Sequence, residues 1–336
     1  MVDVYRQQSR ALRNPLDTAL YFALFPQLIA GPIIRYHYIE GQLRERAAHL
    51  VDVARGIERF VTGLAKKVLI ANVAARCADG IFNLDPQYLG FGTAWVGVLA
   101  YAVQIYFDFS GYSDMAIGLG GMFGFKFPEN FDYPYASRSV TEFWRRWHMS
   151  LSSWFRDYVY IPLGGNRVSA GRTYVNLVAV FLLCGLWHGA SWNFVIWGAL
   201  HGLFLVLERA GLGRRLELLP RALQHGYTLL VVCIGWVFFR APDLHTAGNV
   251  LWAMTGAAGA SRPSHPVFLF VTPAVQVAAV AAALFATPLV PRLLTSSGTR
   301  ATLRTWLGVP VTALLLVLCA SYLATTTYNP FIYFRF

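Results

Sequence analysis

Trp187-His188-Gly189-Ala190-Ser191-Trp192 sits between two apolar runs, Tyr174 to Trp187 and Phe194 to Leu207, and its reading decides the class of fold. Asn176 is the one polar break in the first run and His201 the one in the second. Each run alone falls short of the roughly 20 residues a helix needs to cross a bilayer. The expectation is therefore that the hexapeptide lies at membrane depth, between two shorter pieces. An ionisable side chain in that setting is a functional candidate, because its burial is costly unless it has a partner or a task.

Working outward, the composition agrees with a membrane setting. Of 336 residues, 56% are hydrophobic and 13% charged, with a mean hydropathy of +0.46. Soluble domains carry roughly a quarter charged residues, so the chain reads as an all-α polytopic membrane protein. The net charge of +11 comes almost entirely from arginine, since only Lys66, Lys67 and Lys126 are lysines. These basic residues fall between apolar runs, as in cytoplasmic loops that meet anionic lipid headgroups. No recognition motif accompanies the charge, so nucleic acid is not expected as a partner. Cys77, Cys184, Cys233 and Cys319 are far apart and suggest neither a disulfide framework nor a zinc site.

Other spans follow from length. Leu16 to Ile34 is broken by Pro26 and Gly31-Pro32, which fits a kinked or re-entrant segment. Arg35 to Lys67 is the most basic region and reads as a cytoplasmic amphipathic helix on the membrane surface, the alternative being a role in attracting a polyanionic donor such as coenzyme A. Gly92 to Phe107 is a spanning candidate that runs into Asp108-Phe109-Ser110-Gly111-Tyr112-Ser113-Asp114. Asp108 and Asp114 are six apart, about 600° on a helix and so on roughly opposite faces. Gly120 and Gly124 have the four-residue spacing of close helix crossings. Phe127 to Tyr135 reads as an interfacial loop. Val140 to Tyr160 reads as one helix with Trp144, His148 and Ser152 along one face. Tyr227 to Phe239, Val267 to Val290 and Leu307 to Leu323 complete an estimate of about seven to nine membrane helices with re-entrant pieces. The aromatic tail Asn329 to Phe336 suits an interface.

No His-Glu-x-x-His, phosphate-binding loop or Gly-x-Ser-x-Gly elbow is present, so no metal is expected. Histidine remains, with an ordinary pKa near 6.5 that suits a general base for an acceptor hydroxyl. Ser191 or Asn193 would then donate to a developing oxyanion. The competing reading is a histidine hydrogen-bonded in a helix crossing.

The chain resembles the membrane-bound O-acyltransferase family, in the branch of the alginate O-acetylation membrane subunit. The likeness is carried by Phe25-Pro26-Gln27-Leu28-Ile29-Ala30-Gly31-Pro32-Ile33-Ile34-Arg35, by Asp108 to Asp114, and by Asn130-Phe131-Asp132-Tyr133-Pro134-Tyr135. It continues through Phe143-Trp144-Arg145-Arg146-Trp147-His148, Ile161 to Arg167, Trp187 to Trp192, and the Pro330 to Phe334 tail. The resemblance implies a single membrane-embedded domain over residues 1–336, located in the bacterial inner membrane. It implies transfer of an acetyl or other short acyl group from acetyl-CoA or another acyl thioester, with no tightly bound cofactor. The hydroxyls of an exported polysaccharide such as alginate are the final acceptor, reached directly or through periplasmic or membrane-anchored acetyltransferase partners, with membrane lipids around the chain. The catalytic histidine falls on His188, as base or as nucleophile in an acyl relay, and the second polar signature falls on His148. Asp108, Trp144, Ser152, Trp187, Ser191 and Asn193 are the substrate-lining candidates. Met1 to Arg6 is similar to an interior segment of the family, so N-terminal helices of the family are expected to be missing. The alternative function is a polysaccharide-export or transporter component without its own chemistry, since Asp108, Asp114 and the arginine-rich loops would also line a path.

Overall fold

The computed structural model describes residues 2–28, 31–257, 266–290, 298–328 and 330, and helices without strands make up the described residues. Asn329 and the Phe331 to Phe336 part of the aromatic tail lie outside them. The helices that organise the molecule are α1 (Pro15–Ala23), α2 (Leu50–Ala65), α3 (Asn72–Phe82), α4 (Phe91–Met122), α5 (Val140–Arg146) and α6 (Met149–Phe155). They are followed by α7 (Ala170–His188), α8 (Trp192–Leu207), α9 (Arg221–Arg240), α10 (Leu244–Met254), α11 (Pro273–Phe285) and α12 (Gly298–Thr325). The fold is that of an all-α polytopic membrane protein.

Four helical segments are long and apolar enough to cross a membrane: Ala170–His188, Trp192–Glu217, Arg221–Arg240 and Leu307–Thr325. The last two match the spans expected from sequence. The first two correct the reading of the Trp187 to Trp192 stretch. Helix α7 begins before Tyr174, and α8 runs on past Leu207 until Gly211 (φ 136°, ψ −15°) kinks the chain ahead of the short helix Gly213–Glu217. Each piece is therefore a full crossing, and Gly189-Ala190-Ser191 is the apex of a helical hairpin. In the other direction, the longest helix in the described run to Val290 is the 13-residue α11, about 20 Å long and short of a crossing.

Leu16 to Ile34 is kinked, as the prolines suggest. Asn14 caps α1 by accepting from Leu16 N, and the nine-residue helix ends before the single turn Phe25–Gln27.

Helix α4 is 32 residues, about 48 Å of continuous helix. Its partner is α2, continued by the π-helical Lys66–Ala71 into α3. The expected surface helix is thus a packed one, and its charge has a structural use. A Cβ on Gly56 would meet Gly118 O at 2.6 Å, and one on Gly63 would meet Gly111 O at 2.5 Å. The backbones touch at these glycines and not at Gly120 and Gly124. Gly120 lies under the Phe127 ring, and Gly124 takes a left-handed turn just beyond α4. Asp108 and Asp114 lie about 120° apart and straddle Gly111 at about 60° on either side. Both are consequently reached from the same neighbour. Lys67 Nζ sits 2.6 Å from Asp108, and Lys66 Nζ 2.6 Å and Arg59 Nη2 2.7 Å from Asp114. Buried charges are tolerated when paired in this way.

Candidate active site

The segment from Val140 to Tyr160 is not one helix. Ser139 caps α5 by accepting from Glu142 N. After Arg146 the chain leaves the helical region, and His148 adopts a left-handed backbone (φ 43°, ψ 55°) before α6 begins. Trp144, His148 and Ser152 therefore do not share a face. The Trp144 ring packs against Phe181, Trp197 and His201, and Ser152 Oγ donates to Trp147 O at 3.2 Å. A left-handed conformation costs a non-glycine residue about 1–2 kcal/mol, and such strain gathers at functional sites.

The break turns the His148 ring into a buried polar node. Asn130 Oδ1 accepts from Ser150 N (3.2 Å) and Ser150 Oγ (2.8 Å), and it lies 3.1 Å from His148 Nδ1. Because a backbone N–H donates to it, this atom is the amide oxygen, so His148 Nδ1 must be the donor. The neutral imidazole then keeps its lone pair on Nε2, the form a proton acceptor needs. Asn130 Nδ2 donates to Ser113 Oγ at 3.0 Å, and Ile33 N donates to Ser150 Oγ at 3.0 Å. The Phe109 ring stands edge-on to His148 at 4.6 Å. Four motifs far apart in sequence, those containing Ile33, Ser113, Asn130 and His148, thus close on one point. The loop holding Asn130 is not interfacial there, since Asn130 is 1% exposed.

His188 ends α7, half-buried, with Phe194 and Trp197 of α8 and Phe239 of α9 around its ring at 6.1, 5.3 and 4.9 Å. An aromatic chain links the two regions: Phe239, against His188, meets Trp236 at 5.5 Å, and Trp236 meets Trp147, the residue before His148, at 5.0 Å. A cavity of about 570 Å³ adjoins the His188 end and is lined by Gly189, Ser191, Asn193, Gln104, Phe239 and Arg240, among others. A second cavity, about 680 Å³, reaches Ser113, Asn130 and Met149 at the His148 node and includes Lys66, Ser110 and Asp114.

The remaining candidates divide. Ser191 caps α8 by accepting from Asn193 N at 3.3 Å, and it also lines the His188 cavity. Asn193 Nδ2 donates to Ala241 O at 2.7 Å, while its amide oxygen has no hydrogen-bond partner among the described residues. It thus offers an acceptor in the cavity wall. Trp187 is half-exposed and turns outward, its ring 4.8 Å from His188. Asp108 is an ion-pair partner of Lys67 and lines neither cavity. Asn130, Ser150, Ser113 and Gln104 were not singled out from sequence. Asn130 stood inside a recognised motif, but nothing in its spacing ties it to a histidine 18 positions on. Gln104 carries a buried amide oxygen without a partner among the described residues. No group of three or more potential metal ligands occurs among the described residues.

Comparison with known proteins matches the arrangement to a family. The sequence model of the membrane-bound O-acyltransferase family matches residues 5–216. A probable alginate O-acetylase of Azotobacter vinelandii is 52% identical over 258 residues, covering 76% of this chain and 50% of the relative. The peptidoglycan O-acetyltransferase of Helicobacter pylori is 44% identical over 257 residues, covering 75% and 49%. The teichoic acid D-alanyltransferase of Bacillus subtilis is 31% identical over 257 residues, covering 69% and 63%. The chain spans about half the length of the first two relatives. With both histidines of the fold's polar centre inside the matched region, the chain belongs to the membrane-bound O-acyltransferase family.

Proposed function

We propose that the chain carries the reacting centre of an O-acyltransferase that moves an acetyl group from a thioester donor, such as acetyl-CoA, to hydroxyls of an exported polysaccharide. The observation that carries this reading is the aromatic chain Phe239, Trp236 and Trp147 that ties His188 to the His148 segment, with a cavity lined by the immediate neighbours of each histidine, Gly189 and Met149. The names of the relatives, which acylate alginate, peptidoglycan or teichoic acid, support the class of acceptor.

In this reading His188 is the base. It takes the proton of an acceptor hydroxyl as the oxygen attacks the thioester carbonyl. The tetrahedral intermediate collapses, the carbon–sulfur bond breaks, and the proton passes to the leaving thiolate. His148, with its free Nε2, handles a proton or positions the donor. The Asn193 and Gln104 amide oxygens suit an incoming hydroxyl, which is a donor.

Arginine placement supports the direction of approach. Arg172 and Arg221 lie in the first turns of α7 and α9, and Arg167, Arg209, Arg214 and Arg215 lie beyond the ends of α7 and α8, all at the ends opposite His188. The positive-inside tendency assigns that end to the cytoplasm. The His188 cavity then faces away from it, towards an exported acceptor and acetyltransferase partners on the far side of a bacterial inner membrane. The test is His188→Gln in a complemented, full-length context. Acetyl ester on the polysaccharide is expected to fall by about 10²–10⁴-fold in rate, and wild-type acetylation at normal protein levels refutes the role of His188.

A further inference from the structure

Beyond the His148 node lies a guanidinium whose best edge is empty. Ile33 anchors Ser150, and two residues on is Arg35, 7% exposed. Arg35 Nη1 pairs with Asp157 Oδ2 at 2.5 Å. Its Nε and Nη2 are buried and have no hydrogen-bond partner among the described residues. The group is held in place by the Tyr38 and Tyr158 rings, whose centroids lie 5.8 and 5.6 Å from Cζ. The Nε–H and Nη2–H bonds of an arginine run parallel, at a spacing that matches two oxygens of one oxyanion. A buried, ionised donor edge left unfilled is costly and calls for an occupant.

Arg35 lines a cavity of about 470 Å³ together with Arg6, His37, Asp157 and Tyr158. The charge around it favours an anion. Arg6, Arg35 and Arg156 oppose Asp3 and Asp157, with Arg156 Nε 2.6 Å from Asp157 and His37 Nδ1 3.1 Å from Asp3. Tyr158 OH donates to Asp3, and Arg6 Nη1 donates to Asp157 O at 3.2 Å.

The geometry points to an oxyanion site here for a phosphoryl group, gripped in two places by Arg35 and approached by Arg6 at the rim. A phosphoryl group fits better than a carboxylate, because it offers a third oxygen to Arg6 after Arg35 has taken two. The site stands apart from the acyl-transfer reading, since binding there is measured without turnover.

The phosphoryl group has three sources, free phosphate, the phosphate of a soluble thioester carrier, or a lipid headgroup, and the test separates them. Purified protein in uncharged detergent is titrated calorimetrically with inorganic phosphate and with coenzyme A. In parallel, thermal unfolding is compared in nanodiscs of phosphatidylcholine with and without phosphatidylglycerol. Saturable phosphate binding is expected, weakened about tenfold in Arg35→Lys, which keeps the charge and loses the fork, and less strongly in Arg6→Gln. Tighter binding of coenzyme A than of phosphate, lost in the same variants, identifies a soluble carrier. Stabilisation only by phosphatidylglycerol, lost in the same variants, identifies a lipid. Arg6 is exposed at the rim, so Arg6→Gln decides the matter if Arg35→Lys does not yield monodisperse protein. An unchanged Kd in the variants, or no binding and no stabilisation of the wild type in any arm, overturns the assignment.

Discussion

Replacing Asn130 by Ala tests whether the His148 node holds the site together. The substitution removes one oxygen that serves His148 Nδ1, Ser150 N and Ser150 Oγ, and one N–H donor to Ser113 Oγ. Four polar groups lose a partner. An unmet buried group costs about 1–3 kcal/mol, and the space vacated by the amide admits water, so the lower end applies. About 1 kcal/mol each amounts to about 4 kcal/mol. At about 2 °C per kcal/mol for a chain of this size, the melting temperature should fall by about 8 °C. Tryptophan fluorescence during thermal unfolding in detergent is a suitable readout. Asn130→Leu denies water its place and should cost more than Asn130→Ala. Ser113→Ala removes a single bond and should cost about 1 kcal/mol. Asn130→Ala combined with Ser113→Ala should then cost less than the two changes added, because Ser113 acts through Asn130. A melting temperature for Asn130→Ala within 2 °C of wild type, with normal acetyl transfer in the complemented assay, would refute the node as a structural hub.

Other outcomes follow from the same geometry. Gly63→Val puts a Cβ 2.5 Å from Gly111 O and should abolish folded protein in a size-exclusion assay, whereas Gly121→Ala, with its nearest neighbour atom 4.0 Å away, should be tolerated. Asp108→Leu leaves Lys67 buried without its carboxylate and should cost about 3–5 kcal/mol, and adding Lys67→Met should recover most of that loss in the same unfolding assay. The hydrogen bond from Arg156, then that from Arg35, holds the Asp157 carboxyl below the ordinary value of 3.8 despite partial burial. A depressed carboxyl contributes stability above its unfolded pKa and loses it as pH falls through the folded one. Melting temperatures measured downward from neutral pH through the region below 3.8 should therefore drop more steeply in the wild type than in Asp157→Asn.

Much of this molecule was legible from local sequence, and the misreadings share a cause. Helices α9 and α12 announced themselves because their apolar runs are continuous. The turn after Leu207 hid part of the second hairpin arm, since the hydropathy run stops at Glu208 while the helix continues up to the kink at Gly211. Lys66 and Lys67 looked like surface charge because sequence shows neither Asp108 nor Asp114 across the helix contact. The Gly111 stripe between those carboxylates explains how one neighbouring helix serves both. His148 and His188 stood out in the sequence as candidates, but the tie between Asn130 and His148 did not. A hydrogen bond across 18 residues and a backbone reversal leaves no periodic trace.

The left-handed backbone at His148 has a consequence for how the site is dissected by mutation. An alanine there removes the imidazole and also keeps a Cβ in a conformation that disfavours it, so two losses are recorded as one. Glycine removes the same imidazole while releasing the strain. The difference between His148→Ala and His148→Gly isolates the backbone contribution, about 1 kcal/mol or more, and the loss that remains in the glycine variant belongs to the ring.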